Sequence, residues 1–357
     1  MRVMQIIPQL KLAGAQIMME NLANQLASDS YDVLVVSLYS IHTPISDRLE
    51  GKGIQICYLD KRDGLDIKVI KKIRECIKKF KPDVIHTHSY VLKYAFEASL
   101  GWKCQRIHTV HNIAEKETTH INLLLEKVLS KSKLIKQVAI SPLIKKSISE
   151  YYGIKESSIP MIYNGIALDK CDKKQDYSLT GDSITIIHIG RFEEQKNHSL
   201  IVEAAEILCK KYNTVTFNLW GEGILKEEIS EQIDQAGLTD SVILKGTTSD
   251  PFSELSRSDI FILPSNWEGM PITLIEAMGT GLPVVVTPVG GIPDMIDDNS
   301  SGLYCENDPS DLARKMEMLI LDANLRRRLG MAAAEKAKKF SAKVMTNEYV
   351  KLYGESR

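Results

Sequence analysis

Long apolar runs are missing from this sequence. Nowhere in its 357 residues does an apolar stretch approach the roughly 20 residues that a membrane-spanning helix needs. The six cysteines show no C-x-x-C spacing, which argues against a zinc site or a disulfide framework and favours free thiols in a reducing compartment. Residues 1–7 read as a strand, without the cleavage region of a signal peptide. We therefore expect a cytoplasmic protein.

A complete dinucleotide-binding fingerprint is also missing. The segment Gly221-Glu222-Gly223 follows an apolar run, but it lacks the third glycine and the downstream acidic residue of that fingerprint. A nicotinamide cofactor is therefore disfavoured. The apolar content of 44% and the charged content of 25% are typical of a globular protein, and the length suits two domains.

The net charge of −1 hides an uneven distribution. Residues 1–165 carry 24 Lys+Arg and 16 Asp+Glu, a balance of +8, whereas the remainder carries 21 and 30, a balance of −9. Much of the positive excess lies in residues 67–80, where four apolar residues share one face of a predicted helix: Ile70, Ile73, Ile77 and Phe80. Such a helix could dock on a sheet, or it could contact an anionic membrane surface through its lysines. We expect no nucleic-acid partner.

Strand-like and helix-like segments alternate along the whole chain. Apolar runs typical of strands occupy 3–7, 32–38, 55–59, 83–87, 105–110, 137–140 and 160–163, and then 184–189, 215–220, 242–245, 259–263, 283–287 and 302–305. Helical patterns in the first series begin near Gly14, Asp66, Tyr90, His120 and Ser141. Buried strands separated by helices predict parallel, doubly wound sheets.

These two series predict an α/β protein with two Rossmann-like domains, whose parallel sheets face each other across a cleft. The first domain is expected at 1–166 and the second at 184–340. The polar, aperiodic segment 167–183 is expected to be the linker, and the last helix, within 341–357, is expected to pack back toward the first domain. Ligands of such sheets bind beyond the carboxyl ends of the strands.

Two carboxylates flank a Gly-Met-Pro turn in the second half of the chain. Glu268 precedes Gly269-Met270-Pro271, and Glu276 lies five residues beyond Pro271. Proline suits a first helical position, and the free N–H groups of a new helix attract an anion. Glu276 then lies roughly 7 Å further along the helix axis, about the reach from a diphosphate to a ribose. A plain helix with solvated glutamates would show the same pattern.

Basic residues follow the strand at 184–189. Arg191 and Lys196 flank a loop at the carboxyl end of that strand, where a phosphate would lie. A guanidinium can bind two oxygens of a phosphate, and an ammonium acts as a point charge. Basic residues in such a loop are also often merely solvated.

In the first half, Gly14 begins a helix after the first strand, where it either admits a ligand or simply starts the helix. Four histidines stand near the ends of neighbouring strands: His86, His88, His108 and His111. They could bind a metal, satisfy one another structurally, or contact a substrate. A metal is disfavoured, because no Cys, Asp or Glu supplies a further ligand at a recognisable spacing.

The chain resembles the retaining family 4 glycosyltransferases of the GT-B fold over nearly its whole length. The resemblance is carried by Gly14, Thr109-Val110-His111-Asn112, Tyr163-Asn164-Gly165-Ile166, Gly190-Arg191 with Lys196, Glu268-Gly269 with Glu276, and Gly290-Gly291-Ile292-Pro293. The E-x7-E spacing joined to G-R-x4-K is specific in combination, although neither half is specific alone. Asn197 stands where a glycine is common in that family.

The resemblance implies a role for each of these residues. Arg191 and Lys196 would neutralise the diphosphate of the donor, while Glu276 would hold its ribose. Glu268 would hold the transferred sugar, and His111 would contact that sugar at the reaction centre. The remaining donor contacts would come from Gly14, Gly269, Met270 and Pro271.

The implied activity is transfer of a sugar, with retained configuration, from a nucleoside-diphosphate donor. A UDP-sugar is the expected donor, and the expected acceptor is a saccharide or a polyprenyl-linked saccharide in surface-polysaccharide synthesis. No metal or other cofactor is expected, because Arg191, Lys196 and the helix N-terminus near Pro271 supply positive charge. The alternatives are a sugar-nucleotide epimerase or phosphorylase of similar fold, and an inactive sugar-nucleotide-binding protein. Peripheral attachment to the inner face of the cytoplasmic membrane would suit the basic first half.

Overall fold

The computed structural model of this protein describes residues 1–64, 66–117, 120–178 and 183–355. The chain divides into two compact units, of which the first comprises Met1–Ile166 and Ser341–Arg357 and the second Ala167–Phe340. The segment 167–183, which was expected to be a linker, belongs to the second unit. Its residues 179–182 lie outside the described residues. Within that unit, Lys174 Nζ lies 3.0 Å from Asp259 Oδ1.

The first unit is a parallel sheet covered by helices. Its strands are β1 (Arg2–Ile7), β2 (Asp32–Ser37), β3 (Gln55–Tyr58), β4 (Val84–His88), β5 (Gln105–Val110) and β6 (Lys136–Ala139). Its helices are α1 (Gly14–Ser28), α2 (Pro44–Gly51), α3 (Lys68–Phe80), α4 (Leu92–Ala98), α5 (Ala114–Glu117), α6 (His120–Lys131) and α7 (Pro142–Tyr152). The strand order is β3-β2-β1-β4-β5-β6. The order therefore reverses direction between β1 and β4, which is the point where ligands bind in such sheets.

The prediction of a strand at 160–163 is wrong. Only one isolated bridge forms there, between Ala139 and Met161. Ala139 N donates to Pro160 O and Ile162 N donates to Ala139 O, and the pairing ends with these two bonds. Pro160 has no N–H to donate to a ladder.

The amphipathic helix α3 buries its apolar face in the core of the first unit. Val69, Ile73 and Ile77 are buried among residues of the sheet, and Ile70 and Phe80 are partly buried against the same cluster. The apolar face is therefore docked on the sheet, as the first of the two interpretations expected. The lysines on the opposite side, Lys68, Lys71, Lys78 and Lys79, are exposed.

The second unit repeats the same plan. Its strands are β7 (Ile184–Ile189), β8 (Val215–Trp220), β9 (Val242–Gly246), β10 (Ile260–Leu263), β11 (Val284–Val286) and β12 (Leu303–Tyr304). Its helices are α8 (His198–Cys209), α9 (Lys226–Gln235), α10 (Pro251–Ser256), α11 (Ile272–Thr280), α12 (Ile292–Met295), α13 (Pro309–Leu321) and α14 (Ala323–Ala337). The order β12-β11-β10-β7-β8-β9 again reverses direction, here between β7 and β10. Every strand pair in both sheets is parallel, which confirms the prediction of an α/β protein with two Rossmann-like sheets.

The last helix, α15 (Ala342–Gly354), belongs to the first unit. Tyr349 and Tyr353 on this helix are buried, and their hydroxyls hydrogen-bond to Thr109 and His86 of the sheet, at 2.8 and 2.7 Å. No helix among the described residues combines the length and the apolar character that crossing a bilayer requires.

Candidate active site

The loops after β7 and β10 meet at the carboxyl edge of the second sheet, where its strand order reverses. They bring together two of the predicted site residues. Lys196 Nζ lies 2.5 Å from Glu268 Oε1, with 13% of the lysine side chain and 4% of the glutamate side chain exposed. Such burial makes this ion pair well shielded from solvent, so each member holds the other in place.

Two further residues complete the surroundings of Glu268. Gln195 Nε2 donates to Glu268 Oε2 at 3.1 Å and to Trp267 O at 3.0 Å. Ser265 Oγ donates to Glu268 Oε1 at 2.7 Å. Both carboxylate oxygens therefore have partners, and the rotamer of Glu268 is fixed. Gln195 and Ser265 were not predicted as site residues, and only their closeness to Lys196 and Glu268 along the chain could have suggested them.

A glycine lets a third loop approach Glu268. Gly290 has φ +61, and a Cβ on it would lie 1.7 Å from Glu268 O. Any other side chain would therefore push the loop after β11 away from the loop after β10. Close approach also occurs between Gly221 and Gly190, because a Cβ on Gly221 would lie 1.9 Å from Gly190 O.

Arg191 lies in the same loop as Lys196 but does not contact Glu268 through any described bond. Its guanidinium donates to Glu193 Oε1 at 2.7 Å, and 57% of its side chain is exposed. Asn197, where the resembled family commonly has glycine, has φ +53. Asparagine is among the few non-glycine residues that adopt this left-handed conformation readily. Asn197 can therefore take the backbone conformation that a glycine would take at this position.

Helix α11 begins at Ile272, one residue later than predicted. Pro271 has φ −71 and ψ 118, which places it just before the helix as its N-cap residue. Because the ψ of Pro271 is extended, this residue precedes the helix and does not form its first turn. Glu276 is 3% exposed on this helix, and Met270 is 5% exposed before it. Glu276 is therefore not a solvated surface glutamate.

Two buried histidines lie under the loop after β7. His188 Nδ1 bonds to Ile262 O at 2.9 Å, and the rings of His188 and His198 lie 4.8 Å apart at 87°. Burial lowers the pKa of His188 to about 4 and that of His198 to about 2. Both rings are therefore neutral at pH 7 and add no positive charge to this loop.

The other predicted residues belong to the first unit. Gly14 is the exposed first residue of α1, and His111 follows β5. His111 Nε2 lies 3.0 Å from His88 Nδ1, and His111 N donates to the Glu117 carboxylate at 3.0 and 3.1 Å. Burial is the largest cause that lowers the pKa of His111, to about 3, and His108 adds to it. His111 is therefore a neutral imidazole near pH 7.

The remaining strand-end histidines are also hydrogen-bonded. His86 bonds to Thr109 Oγ1 at 2.7 Å, and His108 bonds to Thr87 Oγ1 at 2.9 Å. In the described part of the chain, the one group of three side chains spaced to hold a metal ion lies elsewhere: His42, Asp47 and Glu50, all exposed. Each of the four histidines thus has a hydrogen-bond partner within the first unit.

Family models match both parts of the chain. Residues 12–170 match the model "Glycosyltransferase Family 4", and residues 169–336 match "Glycosyl transferases group 1". The chain therefore has the GT-B fold and is a glycosyltransferase family 4-like protein. This GT-B chain also superimposes on an Anabaena protein crystallised with UDP and glucose, with a TM-score of 0.84, 18% identity and 99% of each chain covered. At that identity the likeness shows the fold alone.

Curated relatives of this GT-B chain are named as glycosyltransferases. A poly(ribitol-phosphate) alpha-N-acetylglucosaminyltransferase of Staphylococcus aureus is 33% identical over 46% of the chain and 34% of the relative. A UDP-Gal:alpha-D-GlcNAc-diphosphoundecaprenol alpha-1,3-galactosyltransferase of Escherichia coli is 27% identical over 68% of the chain and 67% of the relative. The match to the first relative therefore spans about a third of its length.

Proposed function

We propose that this protein is a retaining glycosyltransferase that uses a UDP-sugar donor. Its acceptor is a saccharide or a polyprenyl-linked saccharide, and its product enters a surface polysaccharide. The names of the relatives support this choice, since one of them uses UDP-Gal and an undecaprenol-linked acceptor. The observation that carries the proposal is the solvent-shielded ion pair of Lys196 and Glu268, which lies where the strand order of the second sheet reverses.

The chemistry of the transfer explains this arrangement. Breaking the anomeric C–O bond places positive charge on the sugar and negative charge on the leaving diphosphate. Lys196, Arg191 and the N-terminus of α11 stabilise the negative charge, and such preorganised groups usually supply the largest catalytic effect. Glu268, fixed by Gln195 and Ser265, binds hydroxyls of the sugar. Because these cations suffice for the diphosphate, no metal ion is part of the proposal.

Retention follows if the acceptor attacks from the face that the diphosphate leaves. The leaving phosphate oxygen then takes the proton of the acceptor hydroxyl while the new C–O bond forms. His111, which is neutral near pH 7, orients the sugar by hydrogen bonding and does not act as the base. No covalent intermediate is needed.

One assay separates this proposal from its alternatives. The full chain is incubated in EDTA with UDP-glucose, UDP-galactose, UDP-N-acetylglucosamine or GDP-mannose, with and without a polyprenyl-diphosphate-linked saccharide. We expect one UDP-sugar to raise the Tm, to release UDP slowly by hydrolysis, and to give an α-linked product from the α-configured donor in NMR spectra.

The other outcomes each contradict a part of the proposal. A β-linked product would exclude retention, and activity restored only by a divalent cation would exclude metal independence. Conversion of the donor sugar to its epimer, or reaction of a sugar phosphate without nucleotide, would identify the epimerase or phosphorylase alternative. A raised Tm without any UDP release would identify an inactive binding protein.

We also propose that the exposed lysines of α3 attach the protein to an anionic membrane surface. Each lysine near such a surface contributes about 1 kcal/mol to binding. Replacing Lys68, Lys71, Lys78 and Lys79 by glutamine should therefore lower co-sedimentation with phosphatidylglycerol vesicles at least about tenfold. The matched control replaces four exposed lysines of the second unit: Lys210, Lys211, Lys338 and Lys339. Equal losses in both variants, or binding to pure phosphatidylcholine, would contradict the proposal.

A further inference from the structure

A chain of buried hydrogen bonds leads from the first strand of the first unit to His111. Gln5 on β1 and His88 at the end of β4 are both 0% exposed. Gln5 Oε1 lies 2.7 Å from His88 Nε2, and His88 Nδ1 lies 3.0 Å from His111 Nε2. Three residues on three strands or strand ends are thus linked in a row, and each link contains one proton.

The direction of each hydrogen bond in this row is determined by its first member. The amide oxygen of Gln5 can only accept, so His88 must carry its proton on Nε2. Burial, followed by the nearby His86 and His111, lowers the pKa of His88 well below its ordinary value, so the ring is neutral and its Nδ1 bears a lone pair. That lone pair must accept a hydrogen bond from the Nε2–H of His111. His111, also neutral, is then left with an unprotonated Nδ1.

Neighbouring rings keep His88 in the orientation that this row requires. The ring centroids of His86 and His88 lie 4.3 Å apart. His86 is itself held at both nitrogens, by Tyr353 Oη and by Thr109 Oγ1, each at 2.7 Å. A rotation of His88 would therefore disturb a packed and hydrogen-bonded neighbour, so the row is a rigid part of the sheet.

We propose that Gln5 and His88 are positioning residues that hold His111 as the Nε2–H tautomer, presenting Nδ1 as an acceptor to a hydroxyl of the donor sugar. The role of His111 toward the sugar rests on the proposed function, whereas the tautomer does not. A hydroxyl must donate to an unprotonated nitrogen, and the opposite tautomer would present an N–H in its place. The two buried residues thus decide which partner His111 can bind.

The tautomer can be observed directly in the full chain without any ligand. The protein contains eight histidines, and 15N-histidine labelling with long-range proton–nitrogen correlation distinguishes a protonated from an unprotonated ring nitrogen. The His111 signals are assigned from the variant His111→Gln. We expect a protonated Nε2 and an unprotonated Nδ1 from pH 6 to 8. A protonated Nδ1 in the wild type would overturn the proposal.

Three variants test whether the row causes this state. Gln5→Met removes the acceptor, and His88→Leu removes the link, so His111 should become a mixture of tautomers. His88→Asn is the matched control, because its amide oxygen can replace Nδ1 and accept from His111. This variant should keep the tautomer of the wild type. If His111 keeps the wild-type tautomer in both Gln5→Met and His88→Leu, then the row of hydrogen bonds does not determine that tautomer.

A kinetic assay then tests whether the tautomer affects turnover. It measures kcat for hydrolysis of UDP-glucose, or of whichever of the four nucleotide sugars the wild type hydrolyses. At metal sites, removal of a group that orients a histidine costs about 10- to 100-fold in affinity or activity, and we expect the same range of activity loss here. We expect that loss in kcat for His88→Leu, a loss of no more than about threefold for His88→Asn, and Tm values of both variants within a few degrees of each other. Equal kcat values in the two His88 variants would refute the positioning role. A wild type that hydrolyses no nucleotide sugar would refute the proposed function and leave the NMR result standing.

Discussion

Replacing Lys196 by methionine is expected to lower kcat/KM for the sugar-nucleotide donor by about a thousandfold. The change removes the ammonium but keeps a side chain of similar length. In the folded protein that ammonium is largely buried beside Glu268, where water can replace it only poorly. A fixed charge in such a site stabilises a departing diphosphate far more than a solvated charge would. Steady-state release of UDP measures the loss.

A double variant separates a direct role of Lys196 from a structural one. Lys196→Met alone leaves Glu268 as a buried carboxylate without its cation, which could displace the loop after β10. Lys196→Met combined with Glu268→Gln removes both charges, and the amide can still bond with Gln195 and Ser265. Affinity for UDP, which lacks the sugar that Glu268 is proposed to hold, is the readout for both variants. If Lys196 binds the diphosphate, UDP binds the double variant as weakly as the single one. Recovery of UDP affinity in the double variant would show that the lysine merely neutralises Glu268.

An exposed lysine supplies the control for general loss of charge. Lys211 pairs with Glu317 on the surface of the second unit, with 55% of the lysine side chain exposed. Lys211→Met should leave kcat/KM within about twofold of the wild type and change the free energy of unfolding by no more than about 0.5 kcal/mol.

The strands were predictable because burial on both faces leaves a simple trace in the sequence. The predicted bounds of 184–189, 215–220 and 105–110 agree with β7, β8 and β5. β7 and β8 are mainly apolar, whereas β5 has only Ile107 and Val110 as apolar residues. The strand predicted at 160–163 failed because an apolar run of that length does not reveal whether a neighbouring strand continues beside it. Helix α2 was not predicted, although its capping Thr43 and the following Pro44 are ordinary signals of a helix start.

The site was only partly predictable, and for a different reason. Glu268 and Lys196 could be selected by spacing within one loop each, but their direct contact joins positions 72 residues apart. Gln195, which holds Glu268, and Gln5, which holds His88, are neutral amides without any spacing signal. Such residues acquire their role from the order of strands in the sheet. That order places the ends of β7 and β10, or of β1 and β4, side by side.

Replacing Glu276 by glutamine is expected to weaken binding of UDP about 10- to 100-fold, if this carboxylate holds the ribose. A hydrogen bond to a charged group contributes about 1.5–3 kcal/mol, and the amide of glutamine keeps the size and one acceptor of the glutamate. Glu276 is 3% exposed within α11, so the Tm of the variant must be compared with that of the wild type. Isothermal titration of the full chain with UDP gives the affinity.

A second nucleotide decides whether the lost affinity comes from the ribose. The wild type should bind 2′,3′-dideoxy-UDP more weakly than UDP by the same 10- to 100-fold, since the hydroxyls that donate to Glu276 are gone. In Glu276→Gln the two nucleotides should bind within about threefold of each other, because the interaction is already lost. If the variant still prefers UDP as strongly as the wild type does, then Glu276 acts only within the fold of the helix. A ribose contact must then be sought elsewhere on the carboxyl edge of the second sheet.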